Sequence, residues 1–561
     1  MPKLAPIMLL RFALALFTVG LASLAIAQET TGALPFSMRS GWDRHAVPTI
    51  AAEPFDPDAT AADDALRDAA EKLPLYARFV TALADPSTDG LWTDLPDGGR
   101  VWRLRVSSPG AQAMELFFRD THFPPGAQLH LYDEAGQQVV GGYAAIHVQP
   151  DGSFSTEPIF SDACIIEYHE PAEVRGEGTF RLVDVAHAYR MVSLLKADAC
   201  EVDVNCSEGG AWQEQRDAVV RIRVVIPTGA GFCTGTLVNN SAMDCKGYVL
   251  TAFHCTEESV AANYASYQFR FQYQRPSCNM GSATGQSITG CDRRGGSQDE
   301  GGTFGSDYTL LELTAPIPAS YTPYWAGWDA TGTGSTGGAS IHHPDGDVKK
   351  ISTFSGPALS SSWMGNASGS HWRVTWVATA NGWGVTEPGS SGSPLFNNAK
   401  RVIGTLTGGL SCCVAGNCGS GTSPNAPDYY GKVSYHWGSL NPNPTEEELR
   451  WWLSPVWNIT SMNGSANPCA SIGIEEHAGE LAPRLFPNPT TDRLTLQPPL
   501  DAQELERIEV SDLMGRVLVN DRFSGTGPVQ IDLSHLPPGT YALTLFADGE
   551  RYQAVKVGVL R

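Results

Sequence analysis

A serine, a histidine and an aspartate stand in this chain in settings that suit hydrolysis. Ser391 lies within Glu387-Pro388-Gly389-Ser390-Ser391-Gly392-Ser393-Pro394, His254 within Thr251-Ala252-Phe253-His254-Cys255, and Asp307 within Ser306-Asp307-Tyr308-Thr309-Leu310-Leu311. A serine hydroxyl becomes nucleophilic when a histidine takes its proton, and the histidine needs a carboxylate to fix its tautomer and stabilise the imidazolium. Gly389 and Gly392 let the backbone turn sharply, so that the N–H groups of Gly389 and Ser391 can face the oxygen that turns negative in a tetrahedral intermediate. Losing one such donor typically costs about 10²–10³ in turnover. A Gly-Ser-rich stretch alone is more often a loop, and a lone histidine more often a surface or core residue. The three settings together read as a protease. Ser390 and Ser393 are rival hydroxyls, and the register of Gly389 and Pro394 favours Ser391.

At these motifs the chain resembles the chymotrypsin-like serine peptidases, which read T-A-x-H-C, D-x-x-L-L and G-x-S-G-x-P. It resembles the bacterial lysyl endopeptidases more closely, through Cys233-Thr234-Gly235-Thr236-Leu237-Val238-Asn239-Asn240, Trp325-Ala326-Gly327-Trp328-Asp329, Ile341-His342-His343-Pro344 and Tyr430-Gly431-Lys432-Val433. The resemblance runs from about residue 200 to about residue 455. It implies two perpendicular six-stranded β-barrels, with Ser391 as nucleophile, His254 as general base and Asp307 as its orienting partner. Gly389 and Ser391 would form the oxyanion hole.

Substrate selection departs from trypsin. Trypsin-like enzymes carry the pocket carboxylate six residues before the nucleophile, where this chain has Val385. In the lysyl endopeptidases the carboxylate comes from a later loop, which Asp428 in Ala426-Pro427-Asp428-Tyr429-Tyr430-Gly431 matches. A buried ammonium needs such a partner, because desolvating either charge alone costs several kcal/mol. Asp428 is thus the expected pocket floor, with Glu387 on the wall. The family also stacks a tryptophan beside the catalytic histidine, against a second histidine placed before a Gly-Gly. Trp363 is the counterpart of that tryptophan and joins Asp428 and Glu387 as a substrate-binding residue, but Thr407 stands where the second histidine would be. His342 and His343 read as a structural turn, since adjacent residues of an extended chain face opposite ways. The chain has no metal motif such as H-E-x-x-H, and no metal or other cofactor is expected.

The resemblance pairs Cys200 with Cys413, Cys206 with Cys278, and Cys233 with Cys255. Cys245 with Cys291 and Cys412 with Cys418 are further candidates, which leaves Cys164 and Cys469 unassigned. Twelve cysteines fit an oxidising compartment. The N-terminus agrees: Lys3 and Arg11 precede an apolar run from Phe12 to Ile26, and Ala25-Ile26-Ala27 is a small-residue cleavage signal, so 1–27 read as a secretory signal peptide ending at Ala27. Its apolar core is too short to span a membrane, and no later segment is apolar for long enough. A formal charge of −22 without a basic tract argues against nucleic-acid binding and for solubility outside the cell.

At 561 residues the chain has room for several domains, and its 58 glycines and 38 prolines point to many turns and short strands. The expected class is all-β: a chymotrypsin-like double barrel flanked by two β-sandwiches. Residues 28–196 divide into a helix and a sandwich. The spacing of Leu66, Ala69, Leu73 and Tyr76 predicts helix within 61–83, and residues 101–106, 129–132 and 165–168 read as strands. This region resembles the propeptides of secreted lysyl endopeptidases, which implies a folding aid that keeps the protease inactive. Lys196 stands just before Ala197, so self-cleavage after Lys196 would match the Asp428 pocket and start the mature protease at Ala197. The protease region, 197–462, closes with a helix expected over 445–453, capped by Thr445 and favoured by its early glutamates. A polar linker, 463–483, leads to a tail over 484–561.

In the tail, Leu485-Phe486-Pro487-Asn488-Pro489, Ile508-Glu509-Val510-Ser511-Asp512-Leu513-Met514-Gly515-Arg516 and Ile531-Asp532-Leu533-Ser534-His535-Leu536-Pro537-Pro538-Gly539-Thr540-Tyr541 resemble the sorting domain of type IX secretion. Alternation over 541–546 and 552–557 supports a sandwich. The resemblance implies export across the outer membrane of a Gram-negative bacterium. The whole reads as a secreted, monomeric endopeptidase that cleaves protein and peptide substrates after lysine, with secretion machinery as its other partner. Cleavage after arginine as well, or a non-catalytic adhesin on a protease fold, are the alternatives.

Overall fold

The computed structural model describes residues 34–70, 72–190, 197–297, 304–364, 367–413, 421–438, 444–455, 459–469, 484–497, 505–512, 516–522, 527–547 and 550–560. Ala27 and Lys196 lie outside them. The chain forms two compact units, residues 1–468 and 469–561.

In the first unit, the start of the helix Pro57–Ala69 is well specified. Asp56 caps it by accepting from the Ala59 N–H at 2.9 Å, and Pro57 takes the first position, where no N–H is needed. The helix is shorter than the spacing predicts: Leu66 is exposed, Pro74 forbids a helical continuation, and Leu75–Ala84 is a strand. Two sheets then face each other. One orders Thr49–Ala51, Arg100–Ser107, Ala163–Glu170, Gln128–Asp133 and Val139–Tyr143, with Leu91–Asp94 on the second of these. The other carries Leu75–Ala84, Thr179–Ala188, Ala113–His122 and Phe154–Ser155. Trp102, Leu104, Leu116, Phe118, Ile166 and Phe180 fill the space between them.

The second of these sheets does not end with the sandwich. Leu75–Ala84 pairs antiparallel with Gly229–Leu237, and the sheet continues through Val219–Ile226, Gln268–Gln274 and Thr284–Thr289. Leu73, Tyr76, Ala113 and Phe117 share one apolar cluster with Val220, Ile222, Phe232 and Phe269. Tyr248–Thr251, Thr309–Leu313 and Cys291–Gly296 complete this curled sheet. A second curled sheet runs Lys350–Phe354, Gly338–His342, Pro394–Asn397, Val402–Gly409, Asp428–Lys432, His371–Val374 and Leu359–Ser361. The molecule is thus all-β in class, as its turn-rich composition predicts.

Disulfides join Cys200 to Cys413, Cys206 to Cys278, and Cys233 to Cys255. Cys245 is disulfide-bonded while Cys291 is a buried free thiol, so these two are not partners; Cys164 is also buried and free. Cys412 and Cys469 are in disulfides, and Cys418 lies outside the described residues. The helix expected over 445–453 is broken into a 3₁₀ turn, Thr445–Glu447, and a helical turn, Leu449–Leu453. Glu447 is drawn away by Arg293, whose two nitrogens lie 3.0 and 2.7 Å from its carboxylate, and Glu448 is extended.

The second unit is a β-sandwich in its own right. A three-stranded sheet, Arg484–Phe486, Arg493–Gln497 and Val529–Asp532, accompanies a four-stranded one, Val517–Arg522, Leu505–Ser511, Gly539–Ala547 and Glu550–Val559. Leu494, Leu496, Ile508, Val510, Leu543 and Leu545 form its core.

Candidate active site

Strand register brings the histidine to the aspartate. Thr251 pairs with Thr309 across two neighbouring antiparallel strands, so His254, three residues past one, and Asp307, two residues before the other, emerge at the same edge. His254 Nδ1 lies 2.8 Å from Asp307 Oδ2, and the His254 amide donates to Oδ1 at 2.9 Å. Asp307 adopts φ 54°, a left-handed conformation that aspartate tolerates better than most residues. Its side chain is fully buried. Burial opposes its charge, but the attraction of His254, hydrogen bonds from the His254 ring and amide, and one from Thr407 outweigh this and hold the carboxyl below its usual value. Thr407 Oγ1 also lies 3.0 Å from His371 Nε2, whose Nδ1 is 2.6 Å from Ser370 Oγ. His436 stacks on Tyr308 at 4.3 Å and binds Ser306 Oγ at 2.7 Å. Burial pushes His371 down to about 4 and His436 to about 3, so both brace the aspartate loop as neutral rings.

Ser391 sits on a turn that glycine makes possible. Gly389 and Gly392 have φ 88° and 81°, and a Cβ on Gly392 would lie 2.2 Å from Thr251 Oγ1 and 2.5 Å from Thr234 O. That close approach latches the serine turn onto the strand carrying Cys233. The Thr234 N–H donates to Ser391 O at 2.9 Å, the Thr234 hydroxyl donates to Gly389 O at 2.9 Å, and Cys255 Sγ is 3.8 Å from Ser391 O. Ser391 therefore abuts the residue next to His254. The rival hydroxyls are buried and engaged: Ser390 Oγ lies 2.8 Å from His342 Nδ1 and Ser393 Oγ 3.3 Å from Ser340 Oγ. Ser391 is the partly exposed member of the three. His342 and His343 diverge, one toward Ser390 and Ser352, the other with Nδ1 2.9 Å from Asp347 O.

Asp428 is wholly buried. Its Oδ2 accepts from Trp376 Nε1 at 2.5 Å, Thr386 Oγ1 at 2.8 Å and Ser411 Oγ at 2.6 Å, and its Oδ1 accepts from the Ser411 N–H at 3.1 Å. Burial raises its pKa, against the pull of these donors. Gly409 leaves it room, since a Cβ there would lie 1.9 Å from Oδ1. Trp363 packs over Gly408 and against Tyr429, its ring 5.4 Å from the tyrosine's, beside Thr407 and Asp428 in sequence. Glu387 turns elsewhere: it accepts from the Asp198 N–H at 3.1 Å, while the Ala197 N–H donates to Asp347 at 3.2 Å. Burial first, then Asp345 and Asp198, push Glu387 up to about 8. Sequence reasoning missed His371, His436, Trp376, Thr386 and Ser411. Only the place of Thr407 before Gly408-Gly409 hinted that this strand touches the triad.

Known proteins share these parts. Residues 58–150 match the family described as lysyl endopeptidase N-terminal domain, residues 194–431 the lysyl endopeptidase C-terminal domain, and residues 484–557 the secretion system C-terminal sorting domain. A lysyl endopeptidase of Pseudomonas aeruginosa is 30% identical over 349 residues, which cover 58% of this chain and 72% of that protein.

Proposed function

The chain belongs to the lysyl endopeptidase family, and from that premise we propose that it is a secreted protease that cuts peptide bonds after lysine through an acyl-enzyme. It is a serine endopeptidase. In the proposed reaction His254 takes the proton of Ser391 as Oγ attacks the carbonyl carbon of the lysine residue. The N–H groups of Gly389 and Ser391 stabilise the oxyanion. His254 then protonates the departing amine, and the same imidazole deprotonates the water that hydrolyses the acyl-enzyme. Asp307 orients the ring and balances its charge.

The observation that carries lysine specificity is Asp428: a buried carboxylate held by four donors, none of which brings a positive charge. A lysine ammonium supplies that charge, and Trp363 lines the approach. Residues 28–196 serve as an inhibitory propeptide removed by self-cleavage between Lys196 and Ala197, and the tail directs export across the outer membrane of a Gram-negative bacterium. A mixed-sequence peptide digested by the active protein and by Asp428→Asn tests the pocket. Cuts after lysine that disappear in the variant are expected. Unchanged cuts move the specificity elsewhere, and cuts after arginine at a similar rate replace lysine specificity with a broader one.

A further inference from the structure

Two carboxylates follow the histidine closely yet have no part in the chemistry above. Glu257 and Glu258 each hold a cation from the N-terminal region. Lys72 Nζ lies 2.7 Å from Glu257 Oε2, and Arg67 grips Glu258 with its two terminal nitrogens at 3.1 and 2.5 Å. Arg67 is fixed in turn by donating to Leu73 O at 2.9 Å. Side-chain exposure is 9% for Arg67, 31% for Glu258, 32% for Lys72 and 23% for Glu257, so both pairs are partly withdrawn from water.

The segment that brings these cations is laid along the same face. Leu75 pairs with Gly231, Ala77 with Ala230 and Arg78 with Gly229. A Cβ on Gly231 would lie 2.6 Å from Pro74 O and 2.8 Å from Leu73 Cγ, and the Tyr76 ring stacks on Phe232 at 4.4 Å. Phe232 is bonded to Cys233, whose disulfide partner Cys255 lies 3.8 Å from Ser391 O. Residues 72–76 therefore run beside the disulfide that ties strand Gly229–Leu237 to the residue after His254, close to the Ser391 carbonyl. The groups that surround Asp428 come instead from the other curled sheet and its loops: Trp376, Thr386 and Ser411.

Cleavage divides a substrate at the nucleophile. The acyl half keeps its lysine in the Asp428 pocket, and the amine half has to remain within reach of His254, which protonates it. The amine half thus departs over the residues adjoining His254 and Cys233, which are Thr256 to Glu258 on one side and Gly231 and Phe232 on the other. Residues 72–76 cover that ground in the unprocessed chain.

We propose that Glu257 and Glu258 are a cation-binding subsite for the leaving-group half of the substrate, which Lys72 and Arg67 occupy in the unprocessed chain. The inference rests on the reading of Ser391 as nucleophile and Asp428 as lysine pocket. In the active protease, a lysine or arginine shortly after the cleaved bond replaces the propeptide's cations, so clusters of basic residues are better substrates than isolated lysines. A glutamate there meets like charge and is disfavoured. Each partly exposed pair contributes at most about fivefold, and salt weakens it.

The test uses the active form recovered after expression of the full chain, and its Glu257→Gln/Glu258→Gln variant. Peptides with one lysine, followed within a few residues by arginine, alanine or glutamate, are compared by kcat/KM, each normalised to a lysine nitroanilide that has no residue beyond the cleaved bond. Mass spectrometry reads which bond is cut. The arginine peptide is expected to exceed the glutamate peptide by about tenfold at low salt. That ratio is expected to shrink at high salt and to approach one in the double variant. A wild-type ratio near one at low salt overturns the subsite and needs no variant; so does a ratio that the variant leaves intact. Failure to cut after lysine in any peptide overturns the underlying lysine reading instead.

Discussion

Asp428 is a fully buried acid and Glu387 a partly buried one, and their neighbours set them apart. Asp428 is surrounded by four donors, whereas Glu387 receives a main-chain N–H but faces Asp345 and Asp198. Burial and those acids raise Glu387 from 4.5 to about 8, so over that interval the folded chain holds a proton that the unfolded chain has released. Stability therefore falls as pH rises from about 4.5 to about 8. In a Ser391→Ala background, chosen to keep the chain intact, Glu387→Gln should remove this fall. Thermal melts across the window should show the two proteins diverging in favour of the glutamine variant, and parallel curves would count against the burial of this carboxyl. Residues of this kind differed in how far the sequence exposed them. Ser391, His254 and Asp307 stand in short local patterns whose spacing has a chemical reason. His371 and Thr407 lie in separate strands, and only their register beside Asp428–Lys432 brings them behind Asp307.

Elements meet at the histidine through two devices, a strand pairing and a disulfide. Tyr248–Thr251 is paired to Gly229–Leu237 on one side and to Thr309–Leu313 on the other, and Cys233–Cys255 crosses from the first of these to the residue after His254. That bridge closes a loop of 22 residues, so removing it with Cys233→Ala/Cys255→Ala should cost about 3 kcal/mol in urea unfolding of the Ser391→Ala chain. A loss well below about 1 kcal/mol would mean that strand pairing alone fixes the loop. Alternation read the strands well at Arg100–Ser107, Gln128–Asp133 and Ala163–Glu170. The helices were read less well, because apolar spacing at Leu66, Ala69, Leu73 and Tyr76 continues across Pro74 into a strand whose residues are buried by a different partner. Glu447 shows the same limit, since its ion pair with Arg293 joins residues 154 apart in sequence.

On the scale of the molecule, the N-terminal region and the first curled sheet are built as one body. They share a sheet, an apolar cluster, and a buried ion pair in which Arg223 meets Glu115, itself bonded to the Tyr76 hydroxyl at 2.6 Å. Composition announced β structure and several domains, but nothing local to either segment could reveal that Leu75 and Gly231 would be neighbours. Expression of wild type and Ser391→Ala side by side tests the proposed maturation: wild type should yield a new N-terminus at Ala197, and the variant, expressed alone, should remain uncut. The two wild-type pieces should also elute together from a sizing column under native conditions. Equal processing of the variant would assign the cut to another protease. The shared sheet separates two events that are often treated as one. Severing a single peptide bond leaves every cross-strand hydrogen bond and the Arg223–Glu115 contact in place, so under the proposed maturation the nicked protein should stay latent until the smaller piece is itself digested or peeled away. Activity in the medium should then lag behind scission.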